Sequence, residues 1–268
     1  MKRFTDRVAV VTGSAGGIGQ AVAVALAARG CDLALVDINE DGLQQTARMV
    51  ADAGRRASVH RVDVSDRARM EALVDEVERE HGRVDIVVNN AGVTVAASLE
   101  EHSFEDLEWI MGINLWGVIY GCKLFLPLLR RQDEAYIVNI SSLFGLLGIP
   151  RQSSYCATKF AVAGLSRALA AELADSPVRV LSVHPGGIRT SIAKSARFLD
   201  EKLQKRSVAF FEKRGMPPER AAEKIVTAMM SNAERLLVGP EAYVGDALKR
   251  VFPAVPSRWI SWIHGRVT

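Results

Sequence analysis

Short apolar runs alternate with amphipathic stretches along the first two thirds of the chain. "RVAVVTG" (7–13) is β-branched with no polar alternation, as a strand buried on both faces reads. "IGQAVAVALAARG" (18–30) follows at helical spacing and stops at a glycine. The couple recurs: "DLALVDI" (32–38) then "EDGLQQTARMVADAG" (40–54), and "RASVHRVDV" (56–64) then "SDRARMEALVDEVEREHG" (65–82), with Ser65 placed as N-cap. "VDIVVNNAG" (84–92) precedes one long helical pattern from about Phe104 to Arg131; "AYIVNISS" (135–142) precedes the helix of "YCATKFAVAGLSRALAAELAD" (155–175), and "VRVLSVHPGG" (178–187) is a sixth strand. Strands alternating with helices predict an α/β fold, a parallel sheet with helices on both faces. With no repeat, low-complexity segment or linker, the pattern is that of a single doubly wound domain.

After Thr190 the rhythm breaks. Residues 191–220 form a long charged connection with scattered aromatics, and a substrate lid is expected at about 190–216. Pro217 and Pro218 open another helix, "RLLVG" (235–239) is a last strand, and a tail at about 252–268 carries Trp259 and Trp262.

Composition narrows the function classes. The formal charge is +3 and no Lys/Arg run stands out, so a nucleic-acid partner is not expected. Cys31, Cys122 and Cys156 have neither disulfide-framework nor metal-ligand spacing; they read as reduced core residues of a cytoplasmic protein, with no metal site. The N-terminal apolar run is bounded by charges and reads as a strand rather than a signal peptide. A membrane-spanning helix is not expected, because "LWGVIYGCKLFLPLL" (115–129) is interrupted by Lys123 and Pro127.

The chemistry begins at "TGSAGGIG" (12–19), between a strand and a helix. Gly13, Gly17 and Gly19 permit a tight turn, and with Ser14 and Ile18 they bring free backbone N–H groups to a pyrophosphate at a helix N-terminus. Asp37 ends the second strand 18 residues after Gly19. An acid there accepts hydrogen bonds from ribose hydroxyls and repels a 2′-phosphate, so NAD is favoured over NADP. Tyr155 and Lys159 stand four apart, on one face of a helix.

Taken with "NNAG" (89–92), Asn114, "ISS" ending at Ser142, "YCATK" (155–159) and "PGGIRT" (185–190), the glycine turn resembles the short-chain dehydrogenase/reductase family. The likeness runs from residue 7 to about 190. It implies a Rossmann-type sheet of seven parallel strands in the order 3-2-1-4-5-6-7. It implies adenine contacts from Asp63 and Val64, Asn90 beside the cofactor, and Ile188 and Thr190 near the nicotinamide carboxamide. Ser142 would hydrogen-bond the substrate oxygen, and Lys159 the nicotinamide ribose. Asn114 would kink its helix and hold a water behind the lysine.

A free tyrosine has a pKa of about 10. The Lys159 charge one turn away is expected to lower that of Tyr155, and two units require about 2.7 kcal/mol. Tyr155 would then exchange a proton with the substrate oxygen while hydride moves between the carbinol carbon and NAD(H). Strand alternation points Ser141 away from this site. His184 and Cys156 read as packed residues, and Trp109 and Trp116 as core or interface.

In the family the stretch "LFGLLGIP" (143–150) walls the substrate pocket. Here it is apolar, as are Ile192, Phe198, Phe210 and Phe211 of the lid, so a lipophilic alcohol or ketone is expected. Lys194 and Arg197 read as solvated lid charges. An epimerase or dehydratase on the same fold, and an NAD-sensing binding protein without turnover, are the alternatives. The helices around Leu115–Leu129 and Ala161–Leu173 are apolar on more than one face. The family pairs them across a two-fold axis, so a homodimer or homotetramer is expected. In the tail, Trp259, Trp262 and Ile263 share a helical face. Docking on a neighbouring subunit is favoured there over a membrane surface.

Overall fold

In chain order the strands are β1 (Val8–Thr12), β2 (Asp32–Asp37), β3 (Ala57–Arg61), β4 (Ile86–Asn89), β5 (Val95–Ala96), β6 (Ala135–Ile140), β7 (Val178–Pro185), β8 (Arg197–Phe198) and β9 (Arg235–Val238). They come from a computed structural model describing residues 1, 3–192, 196–198 and 201–252. Seven strands form one parallel sheet in the order β3-β2-β1-β4-β6-β7-β9. This is the strand order the family resemblance implies. The short strands β5 and β8 pair separately, Val95 against Arg197; no sequence pattern announces them, because two residues carry no periodicity.

The helices are α1 (Gly17–Ala27), α2 (Glu40–Asp52), α3 (Arg67–His81), α4 (Phe104–Met111), α5 (Gly117–Leu129), α6 (Ser153–Glu172), α7 (Glu201–Arg214), α8 (Pro218–Met230) and α9 (Pro240–Val251). Side chains alternate across the pleat, so each strand feeds two cores. Val11, Leu33, Leu35 and Val183 join Val22 and Leu26 of α1, Leu43 of α2, and Ile225 and Met229 of α8. Val10, Val36, Val87 and Ile137 join Leu73 of α3, Phe125 of α5 and Val162 of α6. Two apolar layers explain why the strands read as unbroken apolar runs.

One local expectation is corrected. Asp66, not Ser65, caps α3, accepting from the Arg69 N–H. The Ser65 hydroxyl and N–H are both given to Asp63 Oδ1, at 2.7 and 2.9 Å, in a turn one residue earlier. The long helix from Phe104 runs to Leu129 through Lys123 and Pro127, over 26 residues, with mean hydropathy 1.4 in its most apolar window. It is long and apolar enough to cross a membrane by length and composition only, a test that a buried core helix also passes. Lys123 and Pro127 are exposed while Val118, Cys122, Phe125 and Leu129 are buried in the core, so both interruptions fall on the outer face.

Candidate active site

The C-terminal ends of the strands gather the predicted residues. Leaving β1, the chain turns through Gly13 and Gly17 at φ +67° and +57°, the left-handed region that favours glycine. A Cβ on Gly19 would lie 2.1 Å from the Gly13 carbonyl oxygen and 2.5 Å from Asn90 Nδ2, so no side chain fits. The Asn90 amide donates to the carbonyls of Thr12 and Gly13 (2.9 and 3.1 Å). Thr12 Oγ1 accepts from the N–H groups of Asn90 and Ala91 (2.9 and 3.0 Å). The turn and the end of β4 are thereby one unit.

The residue before α1, Gly16, offers no side-chain cap, and the first turn of α1 has no acid. The first helical amides therefore lack a side-chain acceptor, the condition for binding a phosphate. Ser14 is buried, its N–H and hydroxyl both directed at the Val36 carbonyl (3.2 and 3.4 Å), and Ile18 packs on the core. Asp37 sits beside the turn, accepting from the Ala15 and Asn39 N–H groups at 3.0 Å each, and each oxygen keeps a lone pair. These groups fit a dinucleotide. At the other end of the motif series, Ile188 is buried and bridges to Met216. A Cβ on Gly17 would lie 3.0 Å from Thr190 Cγ2, so Thr190 flanks the glycine turn. Val64 is buried against the helix at Gly117, where a Cβ would lie 2.7 Å from Val64 Cγ2.

The second half of the site is built on β6 and α6. Ser142 stands two residues past β6 and caps the short turn Leu143–Gly145, its Oγ accepting from the Phe144 N–H at 3.1 Å. Ser141 faces the opposite way, its hydroxyl donating to the Lys159 carbonyl at 2.8 Å. Tyr155 meets the Phe144 ring edge-on, 6.1 Å between centroids, and, like Val93 and Trp109, packs against the buried cluster of Val95, Ala97 and Ile110. Lys159 is buried, Nζ donating to the Ile140 carbonyl at 2.9 Å and lying 5.6 Å from the Tyr155 ring centre.

The electrostatics differ from the sequence expectation. Burial pushes the Tyr155 phenol up to about 12, against a downward pull from its hydrogen bond with Ser142. Burial pushes Lys159 down to about 8. Desolvation of each charge therefore outweighs the attraction of the cation for a phenolate, and the lysine donates to a carbonyl instead. With the protein's own groups alone, Tyr155 is a neutral acid at pH 7.

Asn114 stands in a π-turn (Gly112–Trp116) between α4 and α5; such turns gather at functional sites. Its Oδ1 accepts from the Val93 N–H (2.8 Å), and its Nδ2 donates to the Val93 carbonyl (2.9 Å) and to Thr158 Oγ1 (3.3 Å). Both amide protons are therefore committed to protein partners. A Cβ on Gly92 would lie 3.3 Å from Asn114 Oδ1 and 3.4 Å from Lys159 Nζ, so Gly92 leaves room where the two converge.

Other residues take roles their sequence context does not advertise. His184 is buried and pushed down to about 4 by desolvation. Its ring nitrogens lie 3.3 Å from the Ser142 carbonyl and 3.1 Å from Ser182 Oγ, so a neutral imidazole braces the backbone of Ser142. Arg197 is exposed, and it also pairs with Asp106 at 2.6 Å and stacks over Trp109 at 3.9 Å. Trp109 thus links the segment after Thr190 to the cluster around Tyr155. Trp116 is half exposed and stacks with Tyr120. Asp63 takes part in the turn before α3 rather than standing free. Thr12 and Thr158, both holding site residues through their hydroxyls, have no sequence signal beyond their neighbours. Lys194 and the tail tryptophans lie outside the described residues.

Comparison with known proteins follows the same residues. A family model described as short chain dehydrogenase matches residues 7–199. SadH of Mycobacterium tuberculosis is 40% identical over 265 residues, 97% of this chain and 96% of that protein. The crystal structure of a short-chain dehydrogenase/reductase from Burkholderia phymatum in complex with NAD superposes with a TM-score of 0.88 at 30% identity, covering 94% of this chain and 96% of that one. An alcohol dehydrogenase from the archaeon Thermococcus sibiricus, complexed with 5-hydroxy-NADP, gives 0.75 at 31% identity over 87% and 95%.

Proposed function

The chain belongs to the short-chain dehydrogenase/reductase family of oxidoreductases, and from that premise we propose that it moves a hydride between NAD(H) and a lipophilic secondary alcohol or ketone, with Tyr155 as general acid and base. The observation that carries this reading is the convergence of Ser142, Tyr155 and Lys159 on one end of the sheet, beside an uncapped glycine-turn helix.

Gly13, Ser14, Gly17, Ile18 and Gly19 would hold the pyrophosphate, Asp37 the adenosine ribose, Asp63 and Val64 the adenine, and Lys159 the nicotinamide ribose. Asn90 would line the cofactor cleft, and Ile188 and Thr190 its nicotinamide end. The cofactor supplies the hydride donor or acceptor. The chain supplies the proton and its control. In the reductive direction the neutral Tyr155 phenol gives its proton to the oxygen that develops negative charge, and the Ser142 hydroxyl hydrogen-bonds the same oxygen. Lys159 places a positive charge beside the phenolate that remains. In the oxidative direction the phenol must first ionise. From about 12 that costs about 7 kcal/mol at pH 7, so with the protein's own groups alone the rate of alcohol oxidation should rise with pH.

Asp37 and the lack of any basic residue in the turn support NAD over NADP. The Burkholderia phymatum neighbour's NAD agrees, and the Thermococcus sibiricus neighbour's NADP analogue does not. An apolar pocket is supported by Leu143 and Leu147, which lie under α9 at Gly245, and by Phe211, near Gly187. Residues 190–216 form the lid in this reading. The three buried, unpaired thiols support a cytoplasmic setting.

Absorbance of NADH with a panel of lipophilic alcohols and ketones tests the reading, together with Tyr155→Phe. The variant keeps the ring packing and should bind NAD while losing about a thousandfold in turnover. Turnover within tenfold of wild type removes Tyr155 from the chemistry.

A further inference from the structure

The loop Pro185–Thr190 is held from the C-terminal part of the chain, which carries no family motif. The Gly186 N–H donates to the Val238 carbonyl of β9 at 2.8 Å. Met216, just past α7, donates to the Gly187 carbonyl and accepts from the Arg189 N–H, both at 2.9 Å. One side chain joins this set: Glu241, in the first turn of α9, whose Oε1 accepts from the Gly187 N–H at 2.5 Å. A Cβ on Gly186 would lie 2.2 Å from that oxygen, and one on Gly239 2.7 Å. The space between loop and helix is therefore filled by this carboxylate.

We propose that Glu241 is a positioning residue for the nicotinamide half of the cofactor, acting through the Gly187 N–H. The inference rests on the reading that Ile188 and Thr190 face the nicotinamide. Gly186 and Gly187 stand in series, and paired glycines have the largest backbone freedom to lose. Without a clamp, that loss falls on ligand binding. With it, the loop is ordered in advance. The adenosine half, at Asp37 and the glycine turn, has no bond to Glu241, so the effect should divide the cofactor in two.

Isothermal titration of wild type, Glu241→Ala, Glu241→Gln and Gly186→Ala with NAD and with ADP-ribose reads that division. Loss of one hydrogen bond should weaken NAD about five- to tenfold in Glu241→Ala, with ADP-ribose within about twofold of wild type. Glu241→Gln keeps the acceptor oxygen and should restore NAD binding. Gly186→Ala leaves the carboxylate in place but crowds it, and should resemble Glu241→Ala. Equal weakening of both ligands, as general damage would produce, overturns the proposal; so does unchanged NAD affinity in Glu241→Ala. A wild type that binds no NAD removes the functional reading itself, a result distinct from normal wild-type binding with an indifferent variant.

Discussion

Replacing Lys159 by methionine separates the needs of the site from those of the fold. The lysine is 3% exposed, and burial holds its pKa at about 8. Moving a lysine from its ordinary value of about 10.5 down to about 8 corresponds to about 3 kcal/mol. The folded-state pKa lies below the unfolded one, so the unfolded chain binds more protons between about 8 and 10.5. The destabilisation is complete below about 8 and is relieved as pH rises toward 10.5. Methionine is similar in length and uncharged. It removes the donor to the Ile140 carbonyl, a loss of about 1 kcal/mol. Lys159→Met should therefore be more stable than wild type by about 2 kcal/mol at pH 7, a rise of roughly 4 °C in Tm for a chain of this size, and the difference should vanish at about pH 10 and reverse above it, where only the lost hydrogen bond remains. Turnover should fall about a hundredfold or more, because the charge beside the phenolate is gone. Thermal melts by circular dichroism at pH 7 and pH 10, with NADH absorbance for turnover, provide the readouts. A variant that melts below wild type at pH 7 would refute the reasoning.

Asp37→Ala should weaken NAD and relax discrimination against NADP, seen in parallel titrations; a wild type that already prefers NADP removes Asp37 from that role. Light scattering at micromolar concentration should give a dimer or tetramer mass, and a monomer mass would sink the assembly expected of α5 and α6. Truncation after Pro256 should change sizing mass or substrate KM while leaving NAD affinity intact. If both are unchanged and vesicle co-sedimentation of the full chain is lost, the tail serves a membrane instead.

The strands were legible because burial on both faces leaves unbroken β-branched runs, and the glycine turn because backbone crowding there admits no side chain. The Asn114 π-turn was legible only in part. Its poor helix propensity marks the position, but its bonds to Val93 and Thr158 come from segments 21 and 44 residues away. Ser65 shows how a local rule fails: its capping hydroxyl was drawn to Asp63, and the next acid took the role.

Periodicity and local backbone chemistry act over a few residues, and they determined the element sequence, the doubly wound sheet and the identity of the chemically competent side chains. Protonation, and the partner each side chain serves, were decided only by tertiary structure. In sequence, Lys159 stands one turn from Tyr155 and reads as its activator. In the fold both groups are desolvated, their pKa values move apart to about 8 and about 12, and the tyrosine stays a neutral acid. Arg197 reads as a solvated charge and stays exposed, but the fold brings Asp106 and Trp109 to it from 91 and 88 residues back along the chain. Charge energies depend on depth and on distance through space, and neither is written in the order of residues.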